Sequence, residues 1–205
     1  LDRLAGESCD FGSYFTNAPV CVPSRCSLLT GKYLHTHGVR ENHTVLESGR
    51  EIHLFRALKQ AGYAIAYSGK NHVLMEEEFR NFDRVILEEQ GQLTDVEQQC
   101  HAFQKEIEKQ VGSHGYRCAR FHEFGKEATG AWKYTTHGLQ FMEELSREEQ
   151  PFCTFISLVE PHYPHVAPKE IWDLYDPEQL TVPEVMDGEL EGKAARYKIK
   201  KIGRA

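Results

Sequence analysis

The sequence predicts an α/β protein, on three observations. Short apolar strands alternate with helices through the first third of the chain, a helix-to-strand unit runs from Ile52 to Ser68, and another helix followed by an apolar strand covers Trp132 to Leu158.

Each element has a local reason. Leu1-Asp2-Arg3-Leu4-Ala5 reads as a helix with neither an initiator Met nor a capping residue ahead of it, so the natural start is expected upstream. Cys9 to Phe15 reads as a strand or extended segment, and Asn17-Ala18-Pro19 as a turn. A helix then begins near Pro23 and runs through Leu29 to Gly31, with Pro early and Gly just past the end. Ile52, Phe55, Leu58 and Ala61 repeat at helical spacing and Gly62 closes that helix. Tyr63 to Ser68 reads as a buried strand leading into the loop Gly69-Lys70-Asn71-His72.

From Met75 to about Gly130 the pattern blurs. Only a helix around Val96 to Val111 is placed there, and residues 75–130 read as a variable insertion. Trp132 to Leu145 is a helix, Pro151 turns the chain into the strand Phe152 to Leu158, and a Pro-rich loop follows from Glu160 to Pro168. Lys169 to Tyr175 reads as a short helix and Glu189 to Ile202 as a helical segment. There is no internal repeat and no low-complexity tract.

Composition narrows the classes of function. The chain has 205 residues, enough for one sizeable core or two small ones, and no apolar run approaches the ~20 residues of a membrane span. A formal charge of -7 argues against a general nucleic-acid binder, which needs a basic face to displace counterions. Lys198, Lys200 and Lys201 make only a short basic run, read as a solvated face. Six cysteines in a chain this long are not a dense disulfide framework, so the redox compartment stays open. Asn42-His43-Thr44 fits the glycosylation acceptor pattern, which matters only in a secreted protein. Periplasmic, secreted and cytoplasmic locations all remain open.

The chemistry concentrates at Cys21-Val22-Pro23-Ser24-Arg25, followed by Leu28-Leu29-Thr30-Gly31. A residue at a helix N-terminus lies among unpaired N–H groups and the positive end of the helix dipole, which favour an anion. Arg25, four positions on, shares that helix face and can lean back over it. A buried hydrophobe or a disulfide partner of Cys26 is the bland reading of Cys21, and it explains none of the other positions.

The run resembles the signature of the type I sulfatases, Cys-x-Pro-Ser-Arg ahead of an apolar pair and Thr-Gly. Leu1 to Ala5, Gly31-Lys32-Tyr33, His37-Gly38-Val39 and Asn42 resemble its flanks. His35, His37 and His43 lack ligand spacing and read as loop histidines near the site rim. Gly69-Lys70-Asn71-His72 resembles the family's Gly-Lys-x-His element, with Asn71 where the family has Trp. Val159-Glu160-Pro161-His162-Tyr163-Pro164-His165 resembles its Pro-His-x-Pro segment, which assigns the site role to His162 and leaves His165 as an exposed loop residue.

The resemblance implies an alkaline-phosphatase-like sandwich, a mixed and mainly parallel sheet flanked by helices, with residues 1–205 as part of one catalytic domain cut at both ends. It implies that Cys21 is oxidised to formylglycine by a maturation enzyme reading Cys21, Pro23, Ser24 and Arg25. One hydroxyl of the aldehyde hydrate attacks sulfur, the alcohol departs, and the second hydroxyl expels sulfate. Arg25 would hold the nucleophile's oxygen or a sulfate oxygen, His72 would orient the hydrate, and Lys70 and His162 would bind sulfate, one of the latter two protonating the leaving group.

The family also implies a divalent cation, calcium or alternatively magnesium, bound by residue 21 as formylglycine and by carboxylates expected outside this chain. All three motifs are expected to converge where ligands bind in open α/β sheets. The segment alone is expected to be inactive. Alternatives are a phosphonate or phosphate monoesterase of the same superfamily, a non-catalytic binder of sulfated glycans, and a zinc or disulfide module on Cys21 and Cys26. Substrate choice is expected to lie in residues 75–130.

Overall fold

The strand Ala64–Gly69 (β1) is buried along its whole length because both faces of its sheet are covered, the setting in which a strand reads as a continuous apolar run. It is the middle strand of a parallel three-stranded sheet, between Arg84–Leu87 (β2) and Phe152–Ser157 (β4). The computed structural model describes residues 2–88, 93–112, 118–181, 184, 186–188 and 191–193.

The period of two along β1 sorts its side chains. Ile65 and Tyr67 enter one core with Phe55, Phe79, Val22, Cys26 and Leu29, and Phe82 and Phe155 pack against it. Ala64 and Ala66 face the other way, against Leu145 and Phe141 of the helix Gly130–Leu145 (α6), and Ser68 Oγ donates to Tyr134 O at 2.7 Å. The small residues on that face let α6 lie close, and a Cβ on Gly138 would come within 2.5 Å of the Ile156 side chain. On the first face Phe55 meets Tyr67, Phe82 and Phe155 edge-on at centroid distances of 5.2–5.8 Å.

Other elements frame this sheet. A short helix, Asp2–Gly6 (α1), opens the chain with no buried residue. Cys21–Thr30 (α2) and Leu34–His37 (α3) precede Leu54–Gln60 (α4), and a 3-10 helix at Glu76–Asn81 precedes β2. Asp95–Val111 (α5) begins with a capping box between Thr94 and Glu97. A second parallel pair joins Ala119–His122 (β3) to His165–Pro168 (β5), ahead of Lys169–Trp172 (α7). No described helix is long and apolar enough to cross a membrane.

The structure departs from the sequence reading in several places. Of the strand or extended segment expected over Cys9–Phe15, no strand forms: the segment is exposed, with one turn at Gly12-Ser13 and with Phe11, Tyr14 and Phe15 exposed. The helix expected from Ile52 starts at Leu54, because His53 Nδ1 caps it by accepting from Arg56 N, and Ile52 is left exposed. Within residues 75–130, β2 and the aromatic pair Phe79 and Phe82 belong to the central layer. The helix expected over Lys169–Tyr175 ends at Trp172. Of the helix expected over Glu189–Ile202, only Glu191–Lys193 are described, in a turn, and Lys198, Lys200 and Lys201 lie outside the described residues.

Candidate active site

The adjacent ends of β1 and β4 form the floor of the site. Gly69 has φ +103°, and a Cβ there would lie 2.0 Å from the backbone oxygen of Ser157, so glycine is what lets the strand ends meet. Lys70 N donates to that same oxygen at 2.8 Å, and the buried Tyr67 hydroxyl donates to Lys70 O at 2.7 Å. Asn71 Oδ1 accepts from the amides of Val73 and Leu74 at 3.2 and 3.0 Å, and its Nδ2 donates to Leu74 O. This side-chain-closed turn sets His72 between Lys70 and the buried Val73.

The second wall is α2. Its apolar side, Val22, Cys26 and Leu29, enters the core beside β1, and Gly31 ends the helix at φ +67°. Arg25 is thereby brought over the strand ends, where its Nη1 donates to Ser157 Oγ at 2.8 Å. Cys21 is the first residue of the helix and is half-buried. Ser24 Oγ lies 3.1 Å from Thr16 Oγ1.

The first turn of α2 differs from expectation. Val20, at the N-cap position, gives no side-chain cap; Asn42 Oδ1 reaches in instead and accepts from Val22 N at 3.0 Å. Ser24 N is bonded to Val20 O at 3.0 Å, and Pro23 has no N–H. The Val22 and Ser24 amides are thus committed within the protein.

His72 reports that charge directly. Its pKa lies below the ordinary value of 6.5, first because burial disfavours the imidazolium, then because Lys70, Arg25 and His162 each add positive charge nearby. Its Nδ1 is enclosed with no hydrogen-bond partner. Arg25, Lys70, His72 and His162 therefore occupy one region. Among the described residues no carboxylate pairs with Arg25 or Lys70. His162 is exposed in the loop after β4, and its Nδ1 donates to Tyr163 O at 2.7 Å.

Other sequence expectations fare differently. Two motifs leave neighbouring parallel strands, but the Cys21 segment follows an exposed loop and not a strand. His37 is no rim residue: it is fully buried, its Nδ1 accepts from Val39 N at 3.1 Å, and its Nε2 pairs with Ser27 Oγ at 3.0 Å. His35, His43 and His165 are exposed. All six cysteines are free thiols, so Cys21 and Cys26 form no disulfide, and burial pushes the Cys26 thiol up to about 11. Sequence reasoning missed Ser157 and Tyr67. The available signal was the hydroxyl residues near the ends of two largely apolar strands, close to the loops that carry His162 and Lys70.

The side chains gathered here do not fit the implied divalent cation. They are cationic, and the described residues hold no group of three His, Cys, Asp or Glu able to bind a metal ion.

Comparison with known proteins gives this geometry its context. An ulvan-active sulfatase of Formosa agariphila is 29% identical over 201 residues, covering 95% of this chain and 36% of the relative. The structure of BT4656 in complex with its substrate D-glucosamine-2-N,6-O-disulfate superposes with a TM-score of 0.58 at 24% identity, over 95% of this chain and 36% of that one. The phosphonate monoester hydrolase of Agrobacterium radiobacter superposes with a TM-score of 0.53 at 18% identity, over 82% of this chain and 37% of that one. This chain thus spans little more than a third of the proteins it matches, and it shares the alkaline-phosphatase-like fold. The Sulfatase family profile matches residues 1–190, and the chain belongs to that family.

Proposed function

We propose that this chain is the nucleophile-bearing part of a longer catalytic domain, and that the whole protein hydrolyses a sulfate ester using residue 21, matured from Cys21 to formylglycine. The observation that carries the reading is that Arg25, one helix turn from Cys21, and Lys70 are both held at the end of the same strand by Ser157, with His72 in their field and that of His162. A sulfate ester is anionic, and cleavage moves further negative charge onto the leaving oxygen. Fixed cations without carboxylate partners then stabilise the transition state more than the ground state.

The formylglycine hydrate supplies the attacking oxygen and, through its second hydroxyl, the means of releasing sulfate. Arg25, fixed by Ser157, holds the oxygen at residue 21 or a sulfate oxygen. Lys70 and His162 bind sulfate oxygens, and one of them protonates the departing alcohol. His72, kept neutral by burial and its cationic neighbours, accepts a proton from the hydrate. The implied calcium or magnesium would be held by residue 21 and by ligands supplied from outside this chain. A carbohydrate sulfate is the substrate class to test first, since one relative acts on ulvan by its name.

The test is turnover by the full-length protein of matched 4-nitrophenyl sulfate and phosphate and of a sulfated oligosaccharide, with mass spectrometry of the peptide containing residue 21. The reading expects an aldehyde at position 21 and sulfate turnover well above phosphate turnover. An unmodified thiol in active protein, or faster phosphate turnover, overturns it. Binding of sulfated glycan without hydrolysis would favour the non-catalytic alternative.

A further inference from the structure

Ser157 touches two of the three motif segments and leads into the third. Its backbone oxygen takes Lys70 N at 2.8 Å, its Oγ takes Arg25 Nη1 at 2.8 Å, and the chain reaches His162 five residues later. It is 5% exposed and pairs in register with Gly69.

The hydrogen bonds around it have a single consistent direction. Arg25 can only donate, so Ser157 Oγ accepts from it and its own proton is left for another acceptor. The Tyr67 hydroxyl donates to Lys70 O at 2.7 Å. Ser157 thus ties Arg25 to the Lys70 backbone, and Tyr67, which holds the Lys70 carbonyl, is itself held by stacking on Phe155 and edge contacts with Phe55 and Phe79.

The chemistry of the partner matters as much as its position. Buried arginines are ordinarily held by carboxylates, which cancel their charge. A hydroxyl fixes the guanidinium while leaving its full charge to act on an anion, and preorganised charge of this kind is what a transition state gaining negative charge requires.

We infer that Ser157 is a positioning residue that holds Arg25 and the Lys70 loop in register for binding the sulfate group, an inference that rests on the proposed sulfate-ester chemistry. Ser157 does not touch substrate. It acts through Arg25 and Lys70, and its loss lets the guanidinium adopt rotamers that no longer face the site.

The experiment compares wild type, Ser157→Ala, Ser157→Thr and Ser157→Cys in the full-length protein. It measures turnover of 4-nitrophenyl sulfate, inorganic sulfate affinity by calorimetry, aldehyde content at residue 21 and thermal midpoint. Ser157→Ala is expected to lower kcat/KM and sulfate affinity together by about ten- to hundred-fold, the range for losing a hydrogen bond to a charged group. Ser157→Thr keeps the hydroxyl and is expected to recover both to within about three-fold of wild type. Ser157→Cys keeps the size of the side chain but offers Arg25 only a weak sulfur acceptor, and is expected to cost about three- to ten-fold in sulfate affinity.

A merely structural role would move the thermal midpoint and leave the sulfate affinity of the folded protein unchanged. Wild-type sulfate affinity in Ser157→Ala overturns the inference, and so does a threonine variant as weak as the alanine one. If Ser157→Ala does not fold, unchanged affinity in Ser157→Cys overturns it instead. Sulfate binding that depends on Ser157 in a protein that cleaves no sulfate ester would sink the proposed function and leave the positioning role standing. Sulfate-ester turnover indifferent to Ser157 would do the reverse.

Discussion

Val22 N donates to Asn42 Oδ1 at 3.0 Å, so the helix that begins at Cys21 is capped by a residue twenty positions away and not by its own N-cap. The contact ties the loop after α3 to the position of the candidate nucleophile. It also fills the anion-binding end of the helix with a neutral oxygen, which leaves Arg25 and Lys70 to supply the charge.

Replacing that cap separates stability from binding. Asn42→Ala is expected to cost about 1 kcal/mol, a shift of about 2–4 °C in thermal midpoint for a domain of this size. Asn42→Asp keeps the acceptor and adds a charge favourable to the helix dipole, so the midpoint should stay or rise. The same charge sits beside a site built for an anion, and inorganic sulfate affinity should fall several-fold. Calorimetric unfolding and a sulfate titration on the same samples check both halves.

Gly69→Ala is expected to be among the most damaging single substitutions in the chain. Its Cβ would overlap a backbone oxygen at 2.0 Å in a conformation with φ +103°, and neither strand end can yield without moving Lys70 or Ser157. A loss of about 3 kcal/mol or more is expected, with loss of sulfate binding in whatever folds. Gly62→Ala is the control: φ is +85° but nothing lies within 4 Å, so about 1 kcal/mol and unchanged binding are expected. Equal effects from the two would refute the close-approach argument.

How far the sequence reveals this site depends on how local each signal is. The α2 helix, the strand at Ala64–Gly69 and the strand at Phe152–Ser157 were legible because apolar periodicity and Gly or Pro punctuation are properties of neighbouring residues. The motif residues were legible as a pattern of types. The roles of Asn42 and Ser157 were not, because what defines them is a partner 20 or 132 positions away in the fold. β2 was hidden by its half-buried residues, and β3 and β5 are short strands that pair only with each other. Cys9–Phe15 misled in the opposite sense, since a short stretch with three aromatics resembles a strand but has no strand partner among the described residues.

Lys70→Met tests the idea that the cationic cluster serves binding at the expense of the fold. Among the described residues Lys70 has no carboxylate partner, and it adds to the positive charge around His72. Removing it relieves like-charge repulsion, so the thermal midpoint should hold or rise slightly. Turnover of 4-nitrophenyl sulfate should nevertheless fall by about 100-fold, as when a preorganised donor is lost. A variant that loses stability and activity in proportion would show Lys70 to be structural.

Acid stability should be governed by a buried network remote from the nucleophile. Glu78 is 4% exposed and accepts from Arg56 Nε at 2.9 Å, from Arg56 Nη2, from Ser48 Oγ and from His53 Nε2 at 3.2 Å. Burial opposes its ionisation, but the hydrogen bonds from Arg56, Ser48 and His53 outweigh it and hold its carboxyl at about 2, against 4.5 for a free glutamate. A depressed carboxyl stabilises the fold above its unfolded value, and that stability is lost as pH falls from 4.5 towards 2; it amounts to about 3 kcal/mol. His53 is also held below 6.5, chiefly by burial, so the unfolded chain takes up its proton first and some stability is already lost just below pH 6.5. Unfolding free energy should therefore be flat above about pH 6.5, decline gently to about 4.5 and steeply below it. Glu78→Gln should remove the steep part and lower stability at pH 7, because Arg56 and His53 lose a charged partner. Urea unfolding of both proteins from about pH 2 to 7.5 checks this, and parallel pH curves for the two below pH 4.5 would rule out Glu78 as the group responsible.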